Sequence, residues 1–200
     1  MATGYPGRLQ QLVRFMPSLR LLPLAVLVAA LMPSGASAQG LFVNGDSLAV
    51  GTEPYMRGAL PGWSIRTSAS ISRHAFEGPG VLRAAGGLPG VIAVSLGTND
   101  DPRNVGAFRA AVRQTMAVVG AGRCVVWATV LRPPVAGATY TGYNQALKAE
   151  ARRRPNLKVV RWRGLVEANP HWLAGDGVHV NPTGYQARAR AFAKKIRRCP

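Results

Sequence analysis

Acidic side chains are scarce in this chain. Eight Asp and Glu stand against 25 Lys and Arg over 200 residues, a net charge of +17 with histidine neutral. So lopsided a balance favours polyanions as partners: an anionic cell wall, acidic lipids or nucleic acid. The cations are scattered, with short clusters at Arg152-Arg153-Arg154 and Lys194-Lys195. No aromatic-rich basic stretch accompanies them, so no nucleic-acid partner is expected, and the plainer reading of most of them is a solvated surface. Histidine is scarcer still, at three residues without ligand spacing, so no metal and no cofactor are expected. Cysteine is limited to Cys124 and Cys199, too few for a disulfide-dense scaffold; in an exported protein such a pair forms one disulfide, two free thiols being the alternative. No internal repeat and no low-complexity linker interrupts the chain.

Long apolar runs are absent except for one. Leu21–Met32 is 12 residues long, short for a bilayer span. Arg8, Arg14 and Arg20 precede it without any acid, Pro33-Ser34-Gly35 breaks it, and Ala36-Ser37-Ala38 offers small residues for cleavage. The expectation is a secretory signal peptide over 1–38, cut before Gln39, with an uncleaved anchor as the alternative. The remaining 39–200 keeps 22 basic and 8 acidic residues, a charge of +14. It is one domain's length, expected to be a secreted or extracytoplasmic monomer, cell-wall association included, with no stable membrane span after cleavage.

Five apolar runs predict strands: Leu41–Val43, Trp63–Thr67, Val91–Leu96, Cys124–Val130 and Leu157–Trp162. Between them lie helical patterns at Ala49–Ala59, Gly78–Ala85, Val105–Val119, Tyr140–Arg153 and Pro182–Arg198, the last with Asn181 as N-cap. Strand and helix alternate, which predicts an α/β protein: a three-layer α/β/α sandwich around a five-stranded parallel sheet of flavodoxin-like type. In such sheets ligands bind beyond the carboxyl ends of the strands. Ser47, Ser72 and Asn99 follow strands one, two and three, and His179 precedes the last helix, so all four are expected at that one end. Cys124 and Cys199 are expected at the other.

Those positions suit acyl transfer. Ser47, in Gly45-Asp46-Ser47-Leu48, sits where a strand turns into a helix; its hydroxyl needs a base and its N–H lies where helix-end charge favours an oxyanion. A residue there can equally be a plain helix cap. Asp176-Gly177-Val178-His179 places a carboxylate three residues before a histidine, able to orient one ring nitrogen while the other serves Ser47. His74 and His171 have no such neighbour and read as surface or rim residues. Gly97-Thr98-Asn99-Asp100 follows the most buried strand, where the Asn99 amide can donate to an oxyanion; a plain turn is the alternative.

Taken in order, these segments resemble the SGNH hydrolases, also called the GDSL esterase/lipase family. Gly45-Asp46-Ser47-Leu48 matches its serine block, Gly97-Thr98-Asn99-Asp100 its asparagine block, and Asp176-Gly177-Val178-His179, followed by Asn181-Pro182-Thr183-Gly184-Tyr185, its Asp-x-x-His block. The resemblance covers nearly all of 39–200. It implies the fold just described, Ser47 as nucleophile, His179 as base, Asp176 as orienting acid, and an oxyanion hole of Ser47 N–H, Asn99 and a second backbone N–H. The family's glycine for that second donor is missing. Ser72, in Ala69-Ser70-Ile71-Ser72-Arg73-His74, is the positional match, with Ser70 the other candidate. This segment is similar to that of the family's cell-envelope acyltransferase and esterase branch. The implied function is a serine esterase acting on a short-chain acyl ester, with a cell-wall glycan or other anionic envelope polymer among the candidate substrates. An O-acyltransferase passing the acyl group to a sugar hydroxyl and a non-catalytic basic wall-binding module are the alternatives.

Overall fold

β-Branched and apolar residues dominate the segments that form the sheet: β1 (Gly40–Gly45), β2 (Ser64–Ala69), β3 (Val91–Ser95), β4 (Cys124–Ala128) and β5 (Leu157–Val160). Every residue of β3 and β4 is buried, as expected of parallel strands covered on both faces. The computed structural model describes residues 39–200 and Met1, so the expected signal peptide over 1–38 falls outside its described part. All pairings are parallel, in the order β2-β1-β3-β4-β5. The chain runs outward from β1 to β2, then crosses back to β3. The carboxyl ends of β1 and β3 therefore flank the point where winding reverses, the usual place for a ligand.

Among the described residues six α-helices cover the sheet: α1 (Ser47–Ala59), α2 (Gly78–Ala84), α3 (Val105–Val119), α4 (Thr141–Arg153), α5 (Trp162–Glu167) and α6 (Pro182–Ile196). Alternate strand residues feed opposite layers. Phe42, Ile92, Val94 and Trp127 pack with Leu82, Phe108, Val112 and Leu147 beneath α2, α3 and α4. Leu41, Val43, Ala93 and Val126 pack with Met56, Trp162, Phe192 and Ile196 beneath α1, α5 and α6. This is the three-layer α/β/α arrangement expected from the alternating pattern.

The differences are local. Helix α1 starts at Ser47 rather than Ala49 because the Asp46 side chain accepts from Leu48 N–H. Strand β4 stops at Ala128 because the Asn144 amide takes both backbone groups of Val130, at 2.8 Å each. Strand β5 ends at Val160, and Trp162, expected as its last residue, opens α5. Asn181 caps α6 as expected, its side chain accepting from Gly184 N–H at 3.0 Å.

Cys124 and Cys199 form a disulfide with Cα atoms 5.8 Å apart, 75 residues apart in sequence. It ties the amino end of β4 to the chain just past α6, the end of the sheet away from Ser47. Closing so long a loop restricts the unfolded chain and contributes up to about 4 kcal/mol. A Cys199→Ser variant is expected to lose about 2–4 kcal/mol of unfolding free energy, seen as a lower urea midpoint. The double variant Cys124→Ser, Cys199→Ser should unfold at the midpoint of the reduced natural protein.

Candidate active site

The end of β1 can turn directly into α1 only if nothing projects between them. A Cβ on Gly45 would stand 2.2 Å from that of Ala49 and 3.2 Å from that of Ser95, so glycine lets the first turn of α1 close onto the sheet. Asp46 caps that turn. Ser47 comes next, and it is the one residue between Leu41 and Ala49 that is not buried. Its N–H heads the helix without an intramolecular acceptor among the described residues, and so remains available to an incoming anion. The cap is Asp46, not Ser47, which leaves the Ser47 hydroxyl free for another partner.

That partner is His179. Its Nε2 lies 2.8 Å from Ser47 Oγ, and its Nδ1 lies 2.5 Å from Asp176 Oδ2. The other Asp176 oxygen accepts from the N–H groups of Val178 and His179 at 3.0 and 2.9 Å. The tight loop is closed by Ala174 N–H donating to His179 O at 2.9 Å and Asn181 N–H to Trp172 O at 2.8 Å. Hydrogen bonds from the His179 ring first, then from the two backbone groups, hold Asp176 at about 2. Asp176 is therefore ionised at neutral pH, its only role toward His179 is to accept, and Nδ1 must carry the proton. Nε2 of the neutral ring is then left as an acceptor for the Ser47 hydroxyl.

Asn99 and Ser72 sit on the two adjoining loops. The Asn99 loop opens at Gly97, which has φ +116° and would drive a Cβ to 2.8 Å from the Phe108 ring. Side chains from three directions hold its carbonyls: Trp127 Nε1 on Leu96 O at 3.0 Å, Arg132 Nη1 on Thr98 O at 2.7 Å, and Tyr140 Oη on Asp100 O at 2.8 Å. Asn99 Nδ2 donates one hydrogen to Arg73 O at 3.1 Å, leaving its second amide hydrogen for a ligand. Arg73 in turn reaches under the other loop and donates to Gly45 O and Ser68 O at 3.2 and 2.5 Å. The residue before it, Ser72, is exposed and has φ +62°. That is the left-handed region that favours glycine, the residue the resemblance leads one to expect here.

Beneath Ser47 lies a buried polar group. Asp46 Oδ1 accepts from Leu48 N–H at 3.0 Å and from Ser95 Oγ at 3.1 Å, while Arg188 Nη2 donates to Ser95 Oγ at 2.8 Å. Arg188 is 2% exposed, with its guanidinium 4.7 Å from the Trp162 ring centre and 5.3 Å from that of Phe192. Burial pushes Asp46 above its ordinary value and Arg188 down to about 10, each being held back by the charge of the other. Sequence reasoning passed over Arg188 as one more surface cation of a basic helix. The signal was its place, four residues before Phe192 and eight before Ile196, on the apolar stripe of α6. It also read His74 as unpartnered. His74 Nδ1 lies 3.3 Å from Asp100 Oδ1, a neighbour 26 residues away that only the fold brings near.

No family model and no curated protein matches the chain. Solved structures do. The C-terminal catalytic domain of the peptidoglycan O-acetyltransferase A of Streptococcus pneumoniae aligns at 22% identity with a TM-score of 0.65, over 81% of this chain and 92% of that one. A lipolytic protein of the G-D-S-L family from Veillonella parvula aligns at 16% and 0.64, over 78% and 96%. This chain has the SGNH-hydrolase fold. A Clostridium thermocellum family 3 carbohydrate esterase shares it, at 15% identity and a TM-score of 0.59 over 79% and 94% of the two chains.

Two outcomes follow. A depressed carboxylate stabilises the fold above its unfolded value, about 3.9, and ceases to do so as pH falls through its folded value. An Asp176→Asn variant should therefore unfold at a lower urea midpoint than the natural protein at pH 6, with the gap closing between about pH 4 and pH 2. Ser72→Gly relieves a left-handed serine and is expected to add roughly 1 kcal/mol of stability, read from the same midpoints.

Proposed function

We propose that this protein is an exported serine esterase that cleaves short-chain acyl esters through an acyl-enzyme, the substrate being an ester on a cell-envelope carbohydrate. The observation that supports this reading is the continuous hydrogen-bonded line Ser47–His179–Asp176, at 2.8 and 2.5 Å, ending at a hydroxyl beside a helix N-terminus. Ser47 Oγ attacks the ester carbonyl carbon as its proton passes to His179 Nε2, and the carbonyl oxygen becomes an oxyanion. Ser47 N–H, Ser72 N–H and the free Asn99 amide hydrogen stabilise that charge. The tetrahedral adduct collapses, the C–O bond to the alcohol breaks, and His179 returns its proton to the leaving oxygen. Asp176 steadies the imidazolium throughout. Water, deprotonated by His179, then adds to the acyl-serine, and collapse releases the acid and regenerates Ser47. No step needs a metal or a cofactor. Export over a signal peptide, 1–38, is in keeping with the Cys124–Cys199 disulfide. Among the described residues no helix is long and apolar enough to cross a membrane.

A second reading differs only in the acceptor: a sugar hydroxyl takes the place of water. The likeness to the catalytic domain of a peptidoglycan O-acetyltransferase supports it. A third observation bears on the partner. Lys148, Arg152, Lys158, Arg161 and Lys195 line an open groove of about 510 Å³ beside β5, and none of the five takes part in an ion pair among the described residues. Such a wall suits an anionic envelope polymer.

Acetate release from 4-nitrophenyl acetate and from an acetylated glycan tests the reading. Ser47→Ala is expected to keep the circular dichroism of the natural protein and lose at least a thousandfold in rate; activity within tenfold of natural removes Ser47 as the nucleophile. Acetylated acceptor outpacing free acetate when a glycan is added would turn the esterase into a transferase. Retention of the Ser47→Ala protein on anionic wall polymer, weakening with salt, would add the binding role.

A further inference from the structure

Beside the oxyanion loops lies a cleft of about 260 Å³ that the reaction just described does not use. Its walls come from the loop after β2 (His74, Ala75, Phe76), the loop after β3 (Asp100, Asp101, Asn104) and the buried rings of Phe108 and Tyr143. Its place next to the reacting groups is fixed by two bonds: Ser70 N–H donates to Gly45 O at 3.0 Å, and Asn99 Nδ2 to Arg73 O at 3.1 Å. The first ties the loop two residues from Ser47, the second ties it one residue from His74.

The chemistry of these walls is unlike the rest of the surface. Among the described residues, no Lys or Arg side chain lines this cleft. Asp100 and Asp101 do, and Glu77 adjoins them, its carboxylate accepting His74 N–H at 2.6 Å. Asp101 is paired with Arg103 at 2.5 Å, which leaves the carboxylates of Asp100 and Glu77 to border the cleft. Phe76 is 67% exposed, yet its ring stacks on the His74 imidazole with centroids 5.4 Å apart and planes 22° from parallel. The stack is held from behind by Asp100, which accepts from Ala75 N–H at 3.0 Å and pairs with His74 Nδ1. Asn104 occupies the N-cap position of α3 without capping it, so its amide is free for a ligand. A flat, fixed apolar face bordered by carboxylates and an amide is what a neutral sugar ring needs: C–H groups lie on the aromatic face, and hydroxyls meet donors and acceptors at the edge.

We propose that this cleft is the subsite for a neutral sugar ring, the alcohol part of the ester, with Phe76 as its platform and Asp100 and Asn104 as hydroxyl partners. The assignment rests on the esterase reading for its role, but its ligand class comes from the cleft itself. It divides the recognition of a charged polymer between two places: the cationic groove beside β5 takes anionic groups, and this cleft takes the uncharged ring that carries the acyl group.

The test compares methyl 6-O-acetyl-glucoside with 4-nitrophenyl acetate. Phe76→Ala is expected to lower the ratio of kcat/KM for the glucoside ester to that for the aryl ester at least tenfold, through KM, and Phe76→Trp to restore it. A ratio within twofold of natural in Phe76→Ala overturns the subsite even if both esters are cleaved. Binding is measured separately, by amide chemical shifts of Ser47→Ala protein titrated with methyl glucoside. Shifts confined to residues 74–76 and 100–104, and lost in Ser47→Ala with Phe76→Ala, are expected. If no ester is cleaved by the natural protein but these shifts appear, the esterase reading fails and the subsite stands. If esters are cleaved and the shifts are absent or survive Phe76→Ala, the subsite fails and the esterase reading stands.

Discussion

The contact between Asp46, Ser95 and Arg188 holds the two halves of the site in register. Asp46 follows β1 and caps α1, Ser95 ends β3, and Arg188 lies in α6, the helix that begins three residues after His179. Ser95 Oγ is the joint: it receives from Arg188 at 2.8 Å and donates to Asp46 at 3.1 Å. Three elements far apart in sequence therefore meet on one hydroxyl directly below Ser47. The arrangement is demanding, because Asp46 Oδ2 and Arg188 Nε and Nη1 are buried without a partner among the described residues. Charges so enclosed are tolerated only while both are present, since removing one strands the other in an apolar setting. The faces of Trp162 and Phe192 offset part of the cost on the arginine side.

What this joint aligns is a division of labour between the layers. The α1/α5/α6 layer supplies Ser47 and borders the His179 loop. The loops after β2 and β3 supply Ser72 and Asn99, and the α2/α3/α4 layer holds the second of these in place through Tyr140 and Tyr143, which bind the carbonyls of Asp100 and Asp101. The two supports meet at Gly45, whose carbonyl accepts from Ser70 N–H and from Arg73, so the loops carrying Ser72 and Asn99 are anchored to the strand end that carries Ser47.

Much of this was readable from the residues, and the reason is periodicity. Runs such as Val91–Leu96, apolar on both faces, admit few interpretations besides a central strand, and one end of a parallel sheet then collects whatever follows each strand. The structure brings Ser47, His179 and Asp176 together and sets Asn99 on the neighbouring loop. Helix α5 escaped because its first residue, Trp162, continues the apolar run of β5, and its N-cap position, Arg161, makes no side-chain cap. His74 with Asp100 and Arg188 with Ser95 escaped for a different reason. Their partners are 26 and 93 residues away, and a single residue's type says nothing about a neighbour chosen by the fold.

The unequal burial of the Ser47–His179–Asp176 line fixes the order in which it can come apart. Ser47 is set in a stretch whose other members, Leu41 to Ala49, are all buried, so it leaves its place only when the sheet itself opens. The side chains of His179 and Asp176 are 39% and 49% exposed, on a turn held chiefly by its own backbone. Opening of such a segment needs far less free energy than global unfolding. His179 thus departs before Ser47, and a brief excursion of residues 173–180 leaves a protein that is folded and disulfide-bonded but has lost the Ser47–His179 contact, which re-forms as soon as the turn closes.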